Sequence, residues 1–288
     1  MASLKEIKGR IASIKSTRKI TSAMKMVASA KLHKAEATIE NMLPYEKGLN
    51  HILTEFLSAD LDTRSPFTAR RDVKRVALVV FSSNNSLAGA FNTNVIREFR
   101  QTLEEYRHLE KDNILIYSVG RKIFDAVKKM GYKPMADFQQ MADKPSYKEA
   151  ADLATSLMTM FKDKKLDKVE LIYNHFRSTA TQEVTREVFL PIELKRNDEN
   201  SKKALPDFII EPSPEEMLIS LLPKVIRLKM YTVLLDSNAA EHAARTVAMQ
   251  IATDNANNLI QELTVLYNKS RQQAITNELL DIIGGSMK

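Results

Sequence analysis

The chain has 288 residues, no cysteine, no tryptophan, only seven glycines and a formal net charge of +7. That length suits one large domain or two small ones. Disulfide frameworks, thiol catalysis and cysteine zinc sites are excluded, glycine-built ligand loops are disfavoured, and no apolar run approaches the roughly 20 residues that span a bilayer.

The charge is concentrated at one end. Residues 1–34 carry the cations Lys5, Lys8, Arg10, Lys15, Arg18, Lys19, Lys25, Lys31 and Lys34 against the single acid Glu6, so the rest of the chain is close to neutral. Such a block addresses an acidic protein surface, nucleic acid or anionic lipid. No aromatic residue interleaves with the cations and no nucleic-acid motif is present, which disfavours nucleic acid.

The same stretch reads as a long helix. Ser3-Leu4-Lys5-Glu6 is a capping box. Leu4, Ile7, Ile11 and Ile14 follow at three- and four-residue steps. The stripe is expected to resume with Ile20, Met24 and Val27, then Ala35, Ile39, Met42, Leu49, Leu53 and Phe56. Ser22, Ala23, Ala28, Ser29 and Ala30 make its middle thin and smooth. Pro44 is expected to bend the helix without ending it. A basic, acid-poor start also fits a mitochondrial transit peptide, but the stripe continues past any cleavage point. A membrane-surface helix is disfavoured by the narrow, small-residue apolar face.

The middle follows a different pattern. Strands are expected at Val76-Ala77-Leu78-Val79-Val80-Phe81, Ile114-Leu115-Ile116-Tyr117-Ser118-Val119 and Val169-Glu170-Leu171-Ile172-Tyr173, then over 183–194 and at Phe208-Ile209-Ile210. Helices are expected over 90–109, 121–130 and 147–161, and a charged loop over 195–203. This alternation points to an open, Rossmann-like α/β sheet spanning 74–210.

From Lys224 to Ile283 there is neither proline nor glycine. A helix of that length would be roughly 90 Å long. Ser213-Pro214-Glu215-Glu216 supplies its start, Pro223 predicts a kink or short break between Leu222 and Lys224, and Gly284-Gly285 supplies its stop. Ala252, Ala256, Leu259, Leu263 and Leu266 give a coiled-coil seam.

The fold class is therefore mixed α and β: N- and C-terminal helices, over 1–58 and 213–288, paired as a long antiparallel coiled coil around the inserted α/β domain. The second helix is the longer. Its last turns, with Ala274, Ile275, Leu279, Leu280, Ile282 and Ile283, should project as an apolar tip that needs a socket.

Chemistry is hard to find. The loop Ser82-Ser83-Asn84-Asn85-Ser86-Leu87-Ala88-Gly89 follows the first strand, where open α/β sheets bind ligands, but it lacks G-x-G-x-x-G and Walker A spacing. It reads as a strand-to-helix turn with an Asn or Ser cap. His33, His51, His108, His175 and His242 are scattered, without metal-ligand spacing, and read as surface or interface residues. No catalytic or metal-ligating set follows from spacing, and no bound cofactor is expected.

Three segments carry a family resemblance. Lys19-Ile20-Thr21-Ser22-Ala23-Met24-Lys25-Met26-Val27-Ala28 resembles the N-terminal signature of the F-type ATP synthase gamma subunits. Residues 241–256 (EHAARTVAMQIATDNA) resemble the family's C-terminal signature, and residues 267–279 (YNKSRQQAITNEL) its final stretch. The resemblance implies a non-catalytic rotor shaft inside a ring of three alpha and three beta subunits. The α/β domain would be a foot meeting the epsilon subunit and the membrane c-ring. ATP, ADP and magnesium would bind the alpha and beta subunits. By position, Met24 and Lys25 match the shaft region facing an acidic loop of the beta subunit, Arg245 an arginine meeting a ring loop, and Gln272 and Thr276 polar ring contacts. Leu279 and Ile282 belong to the socketed tip.

The family commonly carries Asp-Arg-Gly-Leu-Cys-Gly where this chain has Asn84-Asn85-Ser86-Leu87-Ala88-Gly89, so this chain lacks both charges of that Asp-Arg pair. The cysteine pair of the chloroplast branch is absent, and the lack of a convincing leader favours a bacterial protein at the cytoplasmic face of the inner membrane. Two other readings stand beside the shaft: a coiled-coil scaffold whose basic helix binds acidic partners or nucleic acid, and an α/β enzyme with helical arms.

Overall fold

The computed structural model describes residues 3–58, 65–192 and 214–286. The expected strand at Phe208-Ile209-Ile210, the loop 195–203, the cap Ser213 and the side chains of Leu53 and Phe56 lie outside the described residues. In chain order the elements are α1 (Leu4–Ser58), β1 (Val76–Phe81), α2 (Phe91–Glu105), β2 (Ile114–Val119), α3 (Arg121–Lys129), β3 (Pro134–Asp137), α4 (Gln139–Asp143), α5 (Tyr147–Lys162), β4 (Lys168–Phe176), β5 (Gln182–Leu190) and α6 (Pro214–Ser286). They fall into two compact units. Residues up to Ser29 and from Arg245 onward form one, and residues Ala30–Ala244 the other.

In the larger unit the sheet order is β3-β2-β1-β4-β5. β1 pairs in parallel with both β2 and β4, β2 with β3, and β5 runs antiparallel to β4. Parallel strands covered on both faces read as continuous apolar runs, and all six residues of β1 are buried. Alternation then divides the core. Ala77, Val79 and Phe81 pack with Leu157 and Phe161 of α5 and with Met230 and Val233 of α6. Val76, Leu78 and Val80 face Val95 and Phe99 of α2 and Ile123 and Val127 of α3.

Several expectations need correction. β3 and α4 were not foreseen: β3 has four residues, opens on a proline and matches β2 at only two register positions. The strand expected to reach 194 stops at Leu190. No break occurs at Pro223, and α6 runs through it. Leu221 and Leu222 are buried there among Leu49, Ile52 and Phe67. Burial of that size offsets the roughly 3 kcal/mol cost of an interior proline. The helix also passes Gly284-Gly285 to Ser286; glycine permits a stop without forcing one. As expected, Pro44 does not end α1, and Ser3 Oγ accepts from the Glu6 N–H at 3.2 Å to cap its start.

Candidate partner-contact site on the paired helices

The ligand crevice of an open α/β sheet lies beyond the strand ends where the order reverses, here between β1 and β4. It is filled. Ala88, Phe91 and Phe176 pack there with Ala240 and Ala244 of α6. The hollow left beside Phe81, Ser82, Ser237 and Glu241 is about 10 Å³, no more than one water. The first amides of α3, which could otherwise receive an anion, are taken. Arg121 N–H donates to Asn84 Oδ1 at 2.9 Å, Lys122 N–H to the Ser83 carbonyl at 3.1 Å, and Ile123 N–H to Ser82 Oγ at 3.0 Å. Asn84 Nδ2 also donates to the Gln139 carbonyl at 2.8 Å, so this side chain ties its own loop to the starts of α3 and α4. The loop is a structural turn, as its sequence suggested, but its cap is not the expected Asn or Ser: Ala90 occupies the cap of α2 without a side-chain bond.

Among the described residues no histidine, cysteine or carboxylate group is clustered for a metal, and no helix is long and apolar enough to cross a membrane. His242, expected at a surface or an interface, is buried, with 7% exposure. His175 Nδ1 meets Asp236 Oδ2, whose Oδ1 accepts from the Phe176 N–H at 2.8 Å. Burial pushes the Asp236 carboxyl up, and these hydrogen bonds only partly reverse it.

The smaller unit is an antiparallel helix pair. Arg18 Nη1 donates to Asn257 Oδ1 at 3.2 Å, and the hydroxyls of Thr21 and Thr253 lie 2.9 Å apart. One partner number rises as the other falls, which fixes direction and register. Along α1 the inward positions are Leu4, Ile7, Ile11, Ile14, Arg18, Thr21, Met24 or Lys25, and Ala28. Along α6 they are Met249, Thr253, Ala256, Ile260, Leu263, Tyr267, Ser270 and Ala274. Both follow steps of three and four, the spacing of a coiled-coil seam.

This seam differs from the one read in the sequence. Ile20 and Val27 are 57% and 59% exposed, and Leu259 and Leu266 are 45% and 46% exposed. Leu4, Ile7, Ile11, Ile14, Met24, Ala252, Ala256 and Leu263 were placed correctly, at half-buried or buried positions. Past Ile14 the seam continues through Arg18 and Thr21, whose polarity hides it from an apolar search. On α6 both Leu259 and Ile260 fit the alternation with Ala256 and Leu263, and packing selects Ile260.

The Thr21–Thr253 contact shows what this polar layer costs. Thr21 Oγ1 also lies 3.1 Å from the Arg18 carbonyl and Thr253 Oγ1 2.7 Å from the Met249 carbonyl. Two hydroxyl protons serve three contacts. Replacing either residue by Val should cost about 1 kcal/mol in thermal unfolding, and the double variant less than the sum. Strict additivity in that cycle would mean the hydroxyls do not interact.

The sequence-derived contact residues fall at two levels. By the register above, Lys25 lies opposite Met249, one helical turn from Arg245, and Met24, Lys25 and Arg245 are all half-buried. Gln272, Thr276, Leu279 and Ile282 lie on the far stretch of α6, and from Arg245 to Gln272 that helix rises about 40 Å. Thr276 Oγ1 donates back to the Gln272 carbonyl at 2.9 Å. The register brings the start of α1 opposite the region of Ser270. Beyond it Ile275, Leu279, Leu280 and Ile282 are 48%, 55%, 61% and 68% exposed.

The ATP synthase family model matches residues 3–287. The chain is 67% identical to the ATP synthase gamma chain of Phocaeicola vulgatus, over the whole of both chains. It is 50% identical to that of Parabacteroides distasonis, over 99% of each. Among solved structures, a chain of the Euglena gracilis mitochondrial ATP synthase (OSCP/F1/c-ring, rotational state 3) superposes with a TM-score of 0.69 at 21% identity. That match covers 99% of this chain and 93% of the other, and at such identity the likeness is one of fold. With the family model matched along nearly its whole length and two thirds of its residues shared with a gamma chain, this chain belongs to the ATP synthase gamma-chain family.

Proposed function

We propose that this chain is the central rotor shaft of an F-type ATP synthase and is itself non-catalytic. The observation that carries this reading is the far stretch of α6, which runs past the start of α1 with its large apolar side chains in solvent. A monomer gains nothing from such a tip, and burial in a surrounding socket repays it. The filled crevice between β1 and β4 argues against an enzyme, and the narrow polar-and-alanine middle of the helix pair suits a surface that must turn without locking.

In this reading the helix pair sits in a ring of three alpha and three beta subunits, and the α/β unit is the foot against the epsilon subunit and the c-ring. Nucleotide and magnesium bind the ring, not the shaft. The chain takes no nucleic acid, and it meets the cytoplasmic face of the bacterial inner membrane only as a peripheral part of the complex. Each shaft orientation favours one conformation of each neighbour through differential contacts. Met24, Lys25 and Arg245 act at the lower level, and Gln272, Thr276, Leu279 and Ile282 in the socket.

The test is purification of the tagged chain from washed membranes, with subunit ratios. One copy with three alpha and three beta subunits supports the shaft. A homodimer, or a complex rich in nucleic acid, makes the chain a scaffold instead. In the purified complex, Arg245→Ala and Lys25→Glu should lower coupled ATP synthesis severalfold while the amount of assembled chain holds. A parallel loss of assembled chain would reduce both residues to structural ones.

A further inference from the structure

The end of β4 is fastened to the helices around it by three consecutive residues. Asn174 Nδ2 donates to the Phe91 carbonyl at the start of α2, at 3.3 Å. His175 meets Asp236 of α6. Phe176 is held twice by the same helix: its N–H donates to Asp236 Oδ1, and its half-buried side chain packs against both the cluster that holds Ala239 and Ala243 and the one that holds Ala240 and Ala244. These four alanines are spaced as a parallelogram on the helix surface, a socket for one aromatic knob. Leu32 and Ala35 of α1 join the same cluster.

The surroundings explain why one knob matters. Apolar contact is non-directional, and at this level of α6, a turn or more beyond the large core residues Met230 and Val233, two alanine doublets offer no ridges of their own to resist rotation of the helix about its axis. A ring seated among four Cβ atoms does resist it, and a backbone hydrogen bond fixes where that ring enters. Other directional contacts of this helix include Arg227 Nε to Thr155 Oγ1, Lys229 Nζ to Glu187, and Asn238 Nδ2 to the Ala142 carbonyl in α4.

We propose that Phe176, seated in the socket of Ala239, Ala240, Ala243 and Ala244 and held at its N–H by Asp236, is a positioning residue through which twist passes between the α/β sheet and α6. The proposal rests on the rotor reading. It predicts a defect of coupling and not of assembly.

The experiment uses the whole membrane-bound complex carrying Phe176→Ala, Asp236→Ala or Asp236→Asn, and measures ATP hydrolysis and ATP-driven proton pumping on the same vesicles. Phe176→Ala and Asp236→Ala should lower pumping per ATP hydrolysed severalfold, with hydrolysis and the amount of assembled chain near wild type. Asp236→Asn keeps an acceptor for the Phe176 N–H and should restore most of the ratio. An unchanged ratio in both alanine variants overturns the proposal. So does a fall of hydrolysis and pumping together in step with lost assembled chain, which makes Phe176 a core residue only. Failure of the rotor reading itself would show separately, as wild-type pumping that does not depend on this chain.

Discussion

Gly120→Ala should unfold the α/β unit or leave it too unstable to purify, a loss above about 3 kcal/mol. Gly120 ends β2 and opens α3 at φ 98° and ψ 152°, a conformation that side chains rarely adopt. A Cβ there would stand 2.2 Å from the Ser82 carbonyl oxygen and 2.8 Å from its carbon. Ser82 cannot retreat. Its N–H donates to the Val119 carbonyl at 2.8 Å, and its Oγ accepts from Ile123 N–H. Moving it would break the caps of α3 that close the crevice. The check is thermal unfolding of the isolated chain followed by circular dichroism. A melting temperature within a few degrees of wild type would mean the loop relaxes freely and the close approach of β1 and β2 is incidental.

What sequence could and could not supply follows from which residues carry each feature. β1, β2 and the helix at 147–162 are strongly patterned and were legible almost to the residue. Gly120 was legible only as a strand end, because the demand on it comes from a backbone contact 38 positions away at Ser82. The helix pair was legible as a pair, and its direction followed from the placement of the α/β insert. Its seam was half legible. Apolar periodicity finds Ile7, Ile11 and Ile14, then jumps to Ile20 and Val27 because the true continuation is Arg18 and Thr21. Those outward residues lie in the segment that resembles the family signature, and the alanines around Phe176 carry no periodicity that an apolar search would single out. Where a surface must meet a partner, apolar residues sit outside and polar ones inside, and intrinsic patterning misleads. The family was legible through its motifs. The contact roles proposed for Lys25, Arg245 and Gln272 come from resemblance, not from periodicity.

Arg186→Met should destabilise the α/β unit by about 2–3 kcal/mol, because it takes the two-pronged guanidinium partner from a buried carboxylate and leaves it only Lys168 and Tyr106. Glu170, in the middle of β4, is 2% exposed. It accepts from Arg186 Nε at 2.9 Å and Tyr106 Oη at 2.9 Å, and pairs with Lys168 Nζ at 2.7 Å. Arg186 in turn reaches Glu105 of α2 at 2.8 Å, so the cluster joins β4, β5 and α2. Burial pushes the Glu170 carboxyl up, but hydrogen bonds from Arg186, Lys168 and Tyr106 outweigh it and hold the group below its ordinary value. The sign follows from linkage. A carboxylate with a depressed folded pKa contributes stability that is present above its unfolded pKa and lost as pH falls through the folded one. Glu170→Gln should therefore be markedly less stable than wild type at neutral pH, and the gap should close in acid as wild-type Glu170 takes up its proton. The measurement is urea unfolding of both proteins from pH 7 downward. A gap that stays constant with pH would show that the variant suffers from shape alone, and that the charge on Glu170 adds nothing to the edge of the sheet.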